Sequence, residues 1–365
     1  MIDEIIDNPQ FLSLQKEKEK KLLAILKIQL EENKKNENLN SMYNKLKVDI
    51  EAINSLEEIP FIPVSMFKHF DLRTCPKEDV IRILNSSSTT GNFPSRIYID
   101  KATSIRQSKG LISTLSNFLG SHRRPLLIID NKEINKKNET ITARGAAIRG
   151  ISTFGKSLTY VMDISDGDLT PNITRLKEFE DKYKNEDILV YGFTYIIWTR
   201  FVKVLQEKKI KLNMPKIKLL HSGGWKKLTQ QKVEKEEFNK SVAEVFGTSP
   251  QNIIDFYGMV EQLGVVFIDC EYGYKHVPDF GEIIIRDFLT LKEVEKGNSG
   301  FIEVISSLTS SYPGQAILTE DIGQLIGIDD CKCGRKGKYF KFINRVEKSE
   351  TRGCGDTFAE RRDKK

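Results

Sequence analysis

The sequence is organised around five hydroxyl side chains closed by a glycine, Asn85-Ser86-Ser87-Ser88-Thr89-Thr90-Gly91. Ser and Thr compete with the backbone for hydrogen bonds, so this run favours neither a helix nor a buried strand. A loop whose hydroxyls and amides surround an anion such as a polyphosphate suits these residues. A solvated Ser/Thr linker has the same composition. The interpretation therefore depends on the rest of the chain.

The composition is that of a globular protein with a hydrophobic core. The 365 residues are enough for one large domain or two ordinary ones. Of these residues, 39% are hydrophobic and 30% are charged, as in soluble globular proteins. The 57 Lys and Arg against 51 Asp and Glu give a net charge of +6 that is spread along the chain. A nucleic-acid-binding stripe is therefore not predicted.

The sequence also predicts where the protein resides. The acidic N-terminus lacks the basic and apolar regions of a signal peptide, and no apolar run is long enough to span a bilayer. The five cysteines are an odd number, which argues for reduced thiols. We expect a cytoplasmic protein without a membrane span.

Hydrophobic periodicity predicts an α/β fold. Residues 9–56 have apolar positions at helical spacing, with a polar break at 31–40. Candidate strands lie at 80–84, 126–129, 158–162, 188–191, 217–221 and 253–256. Candidate helices lie at 103–119, 172–184, 193–208 and 229–246. This alternation favours a largely parallel sheet that binds ligands at the carboxyl ends of its strands.

Three regions are predicted along the chain. Residues 1–60 form a small helical N-terminal region, 61–345 form the core, and 346–365 form a C-terminal tail. Within the core, 264–345 is strand-rich and punctuated by glycine, which indicates an antiparallel subdomain.

Several candidate binding residues follow predicted strands. Gly223 and Gly224 come after His221, and they would let a flat group approach the backbone while His221 or Trp225 stacks on it. An ordinary glycine turn has the same pattern.

Two carboxylates also follow strands. Glu261, after Tyr257 and Gly258, is placed to hold a divalent metal on phosphates, although taken alone it is more typical of a surface acid. Asp321 lies at a strand end, where it would accept hydrogen bonds from ribose hydroxyls unless it belongs to a solvated turn.

Together these pieces resemble the adenylate-forming superfamily, and most specifically the acyl-protein synthetase subunit of bacterial bioluminescence fatty-acid reductase complexes, a relative of phenylacetate–CoA ligases. The resemblance covers most of the chain after residue 60. The blocks that carry it are residues 62–68, 86–91, 223–226, 275–278, 319–323 and 353–354.

The resemblance implies the large-domain fold of adenylate-forming enzymes and a set of ligands. A carboxylic acid, with a fatty acid expected, would react with ATP and Mg²⁺ to give an acyl-adenylate. A protein cysteine would take the acyl group as a thioester and deliver it to an acyl reductase partner. Glu261 would hold Mg²⁺. The implied nucleotide-binding residues are Ser86, Ser87, Ser88, Thr89, Thr90, Gly91, His221, Gly223, Gly224, Tyr257, Gly258, Asp321 and Arg345.

Cys354 is the candidate nucleophile. Gly353 and Gly355 flank it and would let the tail bend into a site, while Lys348 and Arg352 would favour the thiolate. A basic tail that holds an unrelated cysteine is the alternative, and the resemblance favours acylation.

A second constellation predicts a metal centre. Three cysteines and a histidine have the ligand chemistry of a closed, structural zinc site. They are Cys270, His276, Cys331 and Cys333. Gly273 and Gly334 would ease the turns between ligands, and Lys275, Lys332 and Arg335 would offset the negative charge. Four free side chains are the alternative.

The sequence departs from the superfamily pattern at two residues and in its length. Ser88 stands where glycine is usual, and Val260 stands where many members have threonine. The chain ends at Lys365 without most of the mobile C-terminal domain of larger relatives. This favours acylation of a protein over ligation to CoA, and it would let a partner chain complete the active site.

Three hypotheses follow from the sequence. The first is an ATP-dependent acyl-protein synthetase, a ligase that forms a carbon–sulfur bond at Cys354. The second is an acyl-CoA ligase of the phenylacetate type. The third is a nucleotide-binding scaffold that docks a reductase without catalysis.

Overall fold

The computed structural model describes residues 2–85, 95–135, 141–225 and 232–346. Its α-helices are α1 (Ile2–Asp7), α2 (Gln15–Asn33), α3 (Glu37–Lys45), α4 (Met66–His69), α5 (Lys101–Leu119), α6 (Ala143–Ser152), α7 (Ile173–Tyr183), α8 (Thr194–Ile196), α9 (Lys203–Glu207) and α10 (Lys235–Phe246). Its strands are β1 (Ile62–Pro63), β2 (Val80–Asn85), β3 (Arg96–Asp100), β4 (Arg124–Ile129), β5 (Ile141–Thr142), β6 (Gly155–Tyr160), β7 (Met162–Ser165), β8 (Asp168–Pro171), β9 (Ile188–Phe193), β10 (Ile217–Ser222), β11 (Ile253–Tyr257), β12 (Phe267–Asp269), β13 (Lys275–His276), β14 (Gly281–Arg286), β15 (Ser299–Ser306), β16 (Ala316–Ile328) and β17 (Lys338–Arg345).

The chain forms two compact units. Among the described residues, unit 1 comprises 2–85, 95–118 and 257–346, and unit 2 comprises 119–135, 141–225 and 232–256. These units follow packing rather than sequence order, so the boundaries at residues 60 and 345 stay predictions. In the described segments, no helix combines the length and apolarity needed to cross a bilayer.

Unit 2 contains the predicted parallel sheet. Its strands run in the order β11-β10-β9-β4-β6, and the pairs β10–β11, β9–β10, β4–β9 and β4–β6 are parallel. All residues of β4 and β9 are buried, as expected for parallel strands covered on both faces. The predicted strand at 158–162 is divided instead between β6 and the β7–β8 hairpin.

The structure of unit 2 confirms the helices that hydrophobic periodicity predicts there, with one difference in geometry. The predicted helix at 193–208 is present, but its central turn, Ile197–Val202, is π-helical. Helix α6 was not predicted from the sequence. Its glycines, Gly145 and Gly150, lower helix propensity, and the Thr142 hydroxyl caps its start by accepting a hydrogen bond from the Gly145 amide at 3.1 Å.

Unit 1 contains the predicted antiparallel region. The order is β14-β15-β16-β17-β13-β12, all antiparallel, and β1 adds to β16 in parallel. Strand β2 corrects one prediction, because it pairs antiparallel with β3 and does not join a parallel sheet. Ile81 and Ile83 are exposed, so β2 has one solvated face that its apolar sequence concealed.

The N-terminal helices pack in the core of unit 1. Leu22, Leu26 and Leu30 of α2 are fully buried in the same hydrophobic cluster as residues of β14 and β15. The predicted break separates α2 from α3, and the Asn36 side chain caps α3 by accepting a hydrogen bond from the Leu39 amide at 3.2 Å.

Gly264 tests the packing of unit 1. Its φ is +90°, and a Cβ at this position would lie 2.5 Å from the backbone oxygen of Gln107. We expect Gly264→Ala to lower the free energy of unfolding by about 3 kcal/mol, because a left-handed conformation and a backbone clash act together. Urea unfolding measures the change.

Gly297 provides the matched control for this substitution. Its φ is +91°, but nothing lies within 4 Å of the position of its Cβ. Gly297→Ala should therefore cost only about 1 kcal/mol from backbone strain. Equal losses in the two variants would contradict the packing argument.

Candidate active site and metal centre

A bidentate ion pair fixes Asp321 in unit 1. Asp321 of β16 and Arg345 of β17 are register partners. Nε of Arg345 donates to Oδ1 of Asp321 at 2.7 Å, and Nη2 donates to Oδ2 at 3.2 Å. Because the two strands are also paired through their backbones, both partners have little freedom to move.

Two further residues complete the surroundings of Asp321. The Tyr257 hydroxyl donates to Oδ2 of Asp321 at 2.8 Å. The Asp321 amide donates to the Thr319 hydroxyl at 3.1 Å, and that hydroxyl donates to the Ile302 carbonyl at 2.6 Å. The result is a buried carboxylate with a defined orientation inside β16, Ala316–Ile328, and not at a strand end as the sequence predicted.

The Asp321 charge shifts the pKa values of both of its partners, Tyr257 and Arg345. Burial and the Asp321 charge raise the pKa of Tyr257 well above its ordinary value, so its hydroxyl stays a hydrogen-bond donor. Burial alone would lower the pKa of Arg345, but the charge and hydrogen bonds of Asp321 outweigh it, and the pKa rises. The arrangement can therefore accept hydrogen bonds from neutral hydroxyl groups.

Glu261 lies in a 3-10 turn, Val260–Gln262, that follows β11. Its side chain is only 4% exposed, unlike the surface acid that the sequence left open. The neighbouring Gln262 amide donates to the carbonyls of Val304 and Gly314, which anchors the turn. With burial, the Glu261 charge raises the pKa of Tyr312. The role of Glu261 as a magnesium ligand stays a prediction.

In unit 2, His221 and the glycine pair lie at the carboxyl end of β10. His221 Nδ1 is 2.9 Å from the Thr194 hydroxyl, and its ring packs on Phe238 with centroids 4.7 Å apart. Gly223 has a φ of +94°, and among the described residues, apart from its chain neighbours, no atom lies within 4 Å of where a Gly224 Cβ would be. This edge is where parallel α/β sheets bind ligands.

Sequence reasoning missed the residues that orient His221. Thr194 follows β9 directly, and the carboxylate of Asp255 in β11 is 3.7 Å from His221 Nδ1. Both are polar residues in or next to otherwise apolar strands, and this pattern in the sequence could have identified them as candidate site residues. The hydroxyl run Ser86 to Gly91 and Cys354 lie outside the described residues, so their roles stay predictions.

The structure brings the four predicted metal ligands of unit 1 together. One ligand atom from each of Cys270, His276, Cys331 and Cys333 lies within 4.8 Å of the others. Cys270 Sγ is 3.9 Å from Cys331 Sγ, and Cys333 Sγ is 3.2 Å from His276 Nε2. The sulfur separation excludes a disulfide, in which it would be about 2 Å.

Local turns aim these ligands. Gly273 has a φ of +78° and closes a turn by donating its amide to the Cys270 carbonyl at 2.8 Å. Gly334 has a φ of +85° and does the same to the Cys331 carbonyl at 3.0 Å. Both conformations favour glycine, as the sequence predicted.

Burial holds these cluster ligands in their neutral forms. Burial raises the pKa of Cys331 to about 12 and also raises that of Cys270. Burial, with the Arg335 and Lys18 charges, lowers the pKa of His276 to about 3, so the imidazole is neutral. Lys275, predicted to offset thiolate charge, instead pairs with Asp269 at 3.3 Å.

Asp321 allows a direct test of the ion-pair cluster. Asp321→Ala would leave Arg345 and the Tyr257 hydroxyl without their shared acceptor, so we expect a loss of about 2–3 kcal/mol of unfolding free energy. Tyr257→Phe removes one hydrogen bond and should cost about 1 kcal/mol. Urea unfolding ranks the two variants. The exposed Glu295→Ala serves as a neutral control, and a smaller loss for Asp321→Ala than for Tyr257→Phe would contradict the cluster.

Comparisons with known proteins agree with this architecture. The family model described as "Acyl-protein synthetase, LuxE" matches residues 1–362. A long-chain-fatty-acid--luciferin-component ligase of Aliivibrio fischeri is 24% identical over 312 residues, which is 84% of this chain and 79% of the relative. The ligase of the same name from Vibrio harveyi is 25% identical over 309 residues, or 83% and 78% of the two chains.

A solved structure supports the fold. It is an open conformation of 2-hydroxyisobutyryl-CoA ligase in complex with 2-HIB-AMP and CoA, and it superposes with a TM-score of 0.68. The match covers 90% of this chain and 75% of that one at 15% identity, so it shows a shared adenylate-forming fold. With a family match along almost its whole length, the chain belongs to the acyl-protein synthetase LuxE family, a family of ligases.

Proposed function

We propose that the protein uses ATP to activate a fatty acid as acyl-AMP and then transfers the acyl group to its own Cys354. The observation that carries this proposal is the buried Asp321 carboxylate of β16, which Arg345 and Tyr257 hold in a member of this family. The names of the two curated relatives support a long-chain fatty acid as the substrate class.

The first step makes the acid electrophilic. An oxygen of the fatty-acid carboxylate attacks the α-phosphorus of ATP, an O–P bond forms, and pyrophosphate leaves. Asp321 accepts hydrogen bonds from the ribose hydroxyls, as it does from Tyr257 in the structure. Hydroxyls and amides of the run Ser86 to Gly91 hold the β- and γ-phosphates. Mg²⁺, held by the buried oxygen ligands of Glu261, would supply charge compensation on the phosphates.

The adenine end of ATP has its own set of residues. Gly223 and Gly224 permit close approach of the base to the backbone, since Gly224 has open space where a side chain would be. The His221 ring, oriented by Thr194, offers a planar surface near the same strand end. In unit 1, Tyr257 ends β11 and Gly258 follows it, and both are proposed as nucleotide-binding residues.

The second step forms the thioester. The Cys354 thiolate attacks the carbonyl carbon of the acyl-adenylate, a C–S bond forms, and AMP leaves with its electron pair. Lys348 and Arg352 are close in sequence and favour the thiolate. The acyl group then passes to a partner acyl reductase.

Cys354 is tested by intact-protein mass spectrometry after incubation with ATP, Mg²⁺ and tetradecanoic acid. We expect one added acyl mass that hydroxylamine removes, because hydroxylamine cleaves thioesters. Cys354→Ser should lose this label but still catalyse acid-dependent exchange of pyrophosphate into ATP, since activation precedes transfer.

Cys75→Ser is the matched control, because Cys75 is a partly buried thiol outside both the tail and the metal cluster. It should be labelled like the unaltered protein. Labelling of Cys354→Ser at the same level would overturn the transfer step. Exchange without protein labelling, together with formation of acyl-CoA when CoA is added, would favour an acyl-CoA ligase instead.

We propose in addition that Cys270, His276, Cys331 and Cys333 hold a structural zinc ion. Three sulfurs and one nitrogen make a closed tetrahedral set without an open position for a substrate. Zn–S bonds of about 2.3 Å place tetrahedral sulfurs about 3.8 Å apart, close to the 3.9 Å between Cys270 and Cys331. The ion would join the β12–β13 hairpin to the turn after β16.

Metal analysis tests the zinc site. Purified protein should contain about one zinc per chain, as expected for a closed four-ligand site. Cys331→Ser and Cys333→Ser should each lose most of the metal and unfold at lower temperature, whereas Cys75→Ser should keep both properties. Zinc-free wild-type protein whose stability equals that of Cys331→Ser would contradict the proposal.

A further inference from the structure

A basic cavity of about 400 Å³ lies in unit 2, where β4, β9 and β10 begin. One water occupies roughly 30 Å³ in the liquid, so this space admits a small hydrated ion. The charged and titratable side chains that line it are His122, Arg124, Asp187, Lys216 and Lys218. Three permanent cations therefore face one carboxylate.

Arg124 is the buried part of this cavity. The residue is only 6% exposed, and its guanidinium donates from Nη2 to the Leu119 carbonyl and from Nε to His122 Nε2 at 3.0 Å. Its Nη1 is buried and has no hydrogen-bond partner in the described part of the chain. A buried charged donor without an acceptor is costly. Because Nη1 has almost no accessible surface, an anion in the cavity would interact with the charge of Arg124 rather than with this atom.

The other charged side chains of the lining do not fill the cavity, and they favour an anion there. The Asp187 carboxylate lies 3.7 Å from His122 Nε2, and both side chains are largely exposed. Lys216 is held at the rim by donating to the Asn185 carbonyl at 3.2 Å. Arginine and lysine together suit a tetrahedral oxyanion, because the guanidinium supplies directed donors and the ammonium groups supply charge.

We propose that this cavity binds an oxyanion of the phosphate class. The site lies at the amino ends of the parallel strands, whereas the proposed nucleotide-binding residues of unit 2 follow their carboxyl ends. Strands of six residues separate these edges by about 20 Å. The inference therefore concerns a second site, and it does not rest on the proposed acyl transfer.

Isothermal titration of the full-length protein with inorganic phosphate, at constant pH and ionic strength, tests the site. Lys216→Gln with Lys218→Gln should weaken binding by about tenfold, since two cations leave the cavity while Arg124 is retained. Asp187→Asn should strengthen it by about threefold because a repelling charge is lost. A gain in affinity cannot result from misfolding.

Lys208→Gln with Lys211→Gln is the control, because both lysines are exposed in the same unit but do not line the cavity. It should bind phosphate like the unaltered protein. A parallel titration with adenosine 3′-monophosphate distinguishes free phosphate from phosphate on a nucleoside as the preferred source. Absence of phosphate binding, or equal affinity in the cavity and control variants, would overturn the proposal.

Discussion

The pairing of the Asp321 carboxylate with Arg345 is the interaction on which the described part of the candidate active site depends. It places a buried acceptor at a fixed point, because the two residues are also register partners in β16 and β17. A slip of one residue would turn Asp321 to the opposite face of the sheet. The β-bulge that follows at Ile322 and Gly323 lies next to this pair, so the register is set locally where the function needs it.

The Cys/His cluster adjoins the same sheet near the start of β17. Cys331 and Cys333 follow β16. Cys270 lies in the turn of the β12–β13 hairpin, and His276 ends β13, which pairs with β17. Strand β17 therefore has Arg345 at its end, while Tyr339 near its start pairs with His276 of the β12–β13 hairpin. A zinc ion would restrain the hairpin and the turn without occupying any position that chemistry requires, which is the role expected of a closed site.

The sequence predicted most of the features that depend on residues close together in the chain. Buried parallel strands have continuous apolar runs, which the sequence shows directly. The cysteines and the histidine predicted a Cys/His cluster, in which Gly273 and Gly334 adopt a positive φ. Pairing partners are not local, so the apolar sequence of β2 suggested a parallel sheet although its isoleucines are solvent-exposed. The Lys275–Asp269 pair and the Thr194–His221 contact likewise depend on tertiary placement. The hydroxyl run and Cys354 lie beyond the described residues, so for them the sequence remains the only guide.

The two edges of the parallel sheet in unit 2 have different chemistry. At the carboxyl edge, His221 and Gly223 accompany aromatic residues such as Phe238, which suits planar and apolar groups. At the amino edge, Arg124 and the neighbouring lysines form a cationic cavity. The buried Arg124 lines this cavity together with Lys216 and Lys218, and Asp187 is the one carboxylate in the lining. The cost of this excess of positive charge is the reason to assign the cavity an anionic ligand of its own.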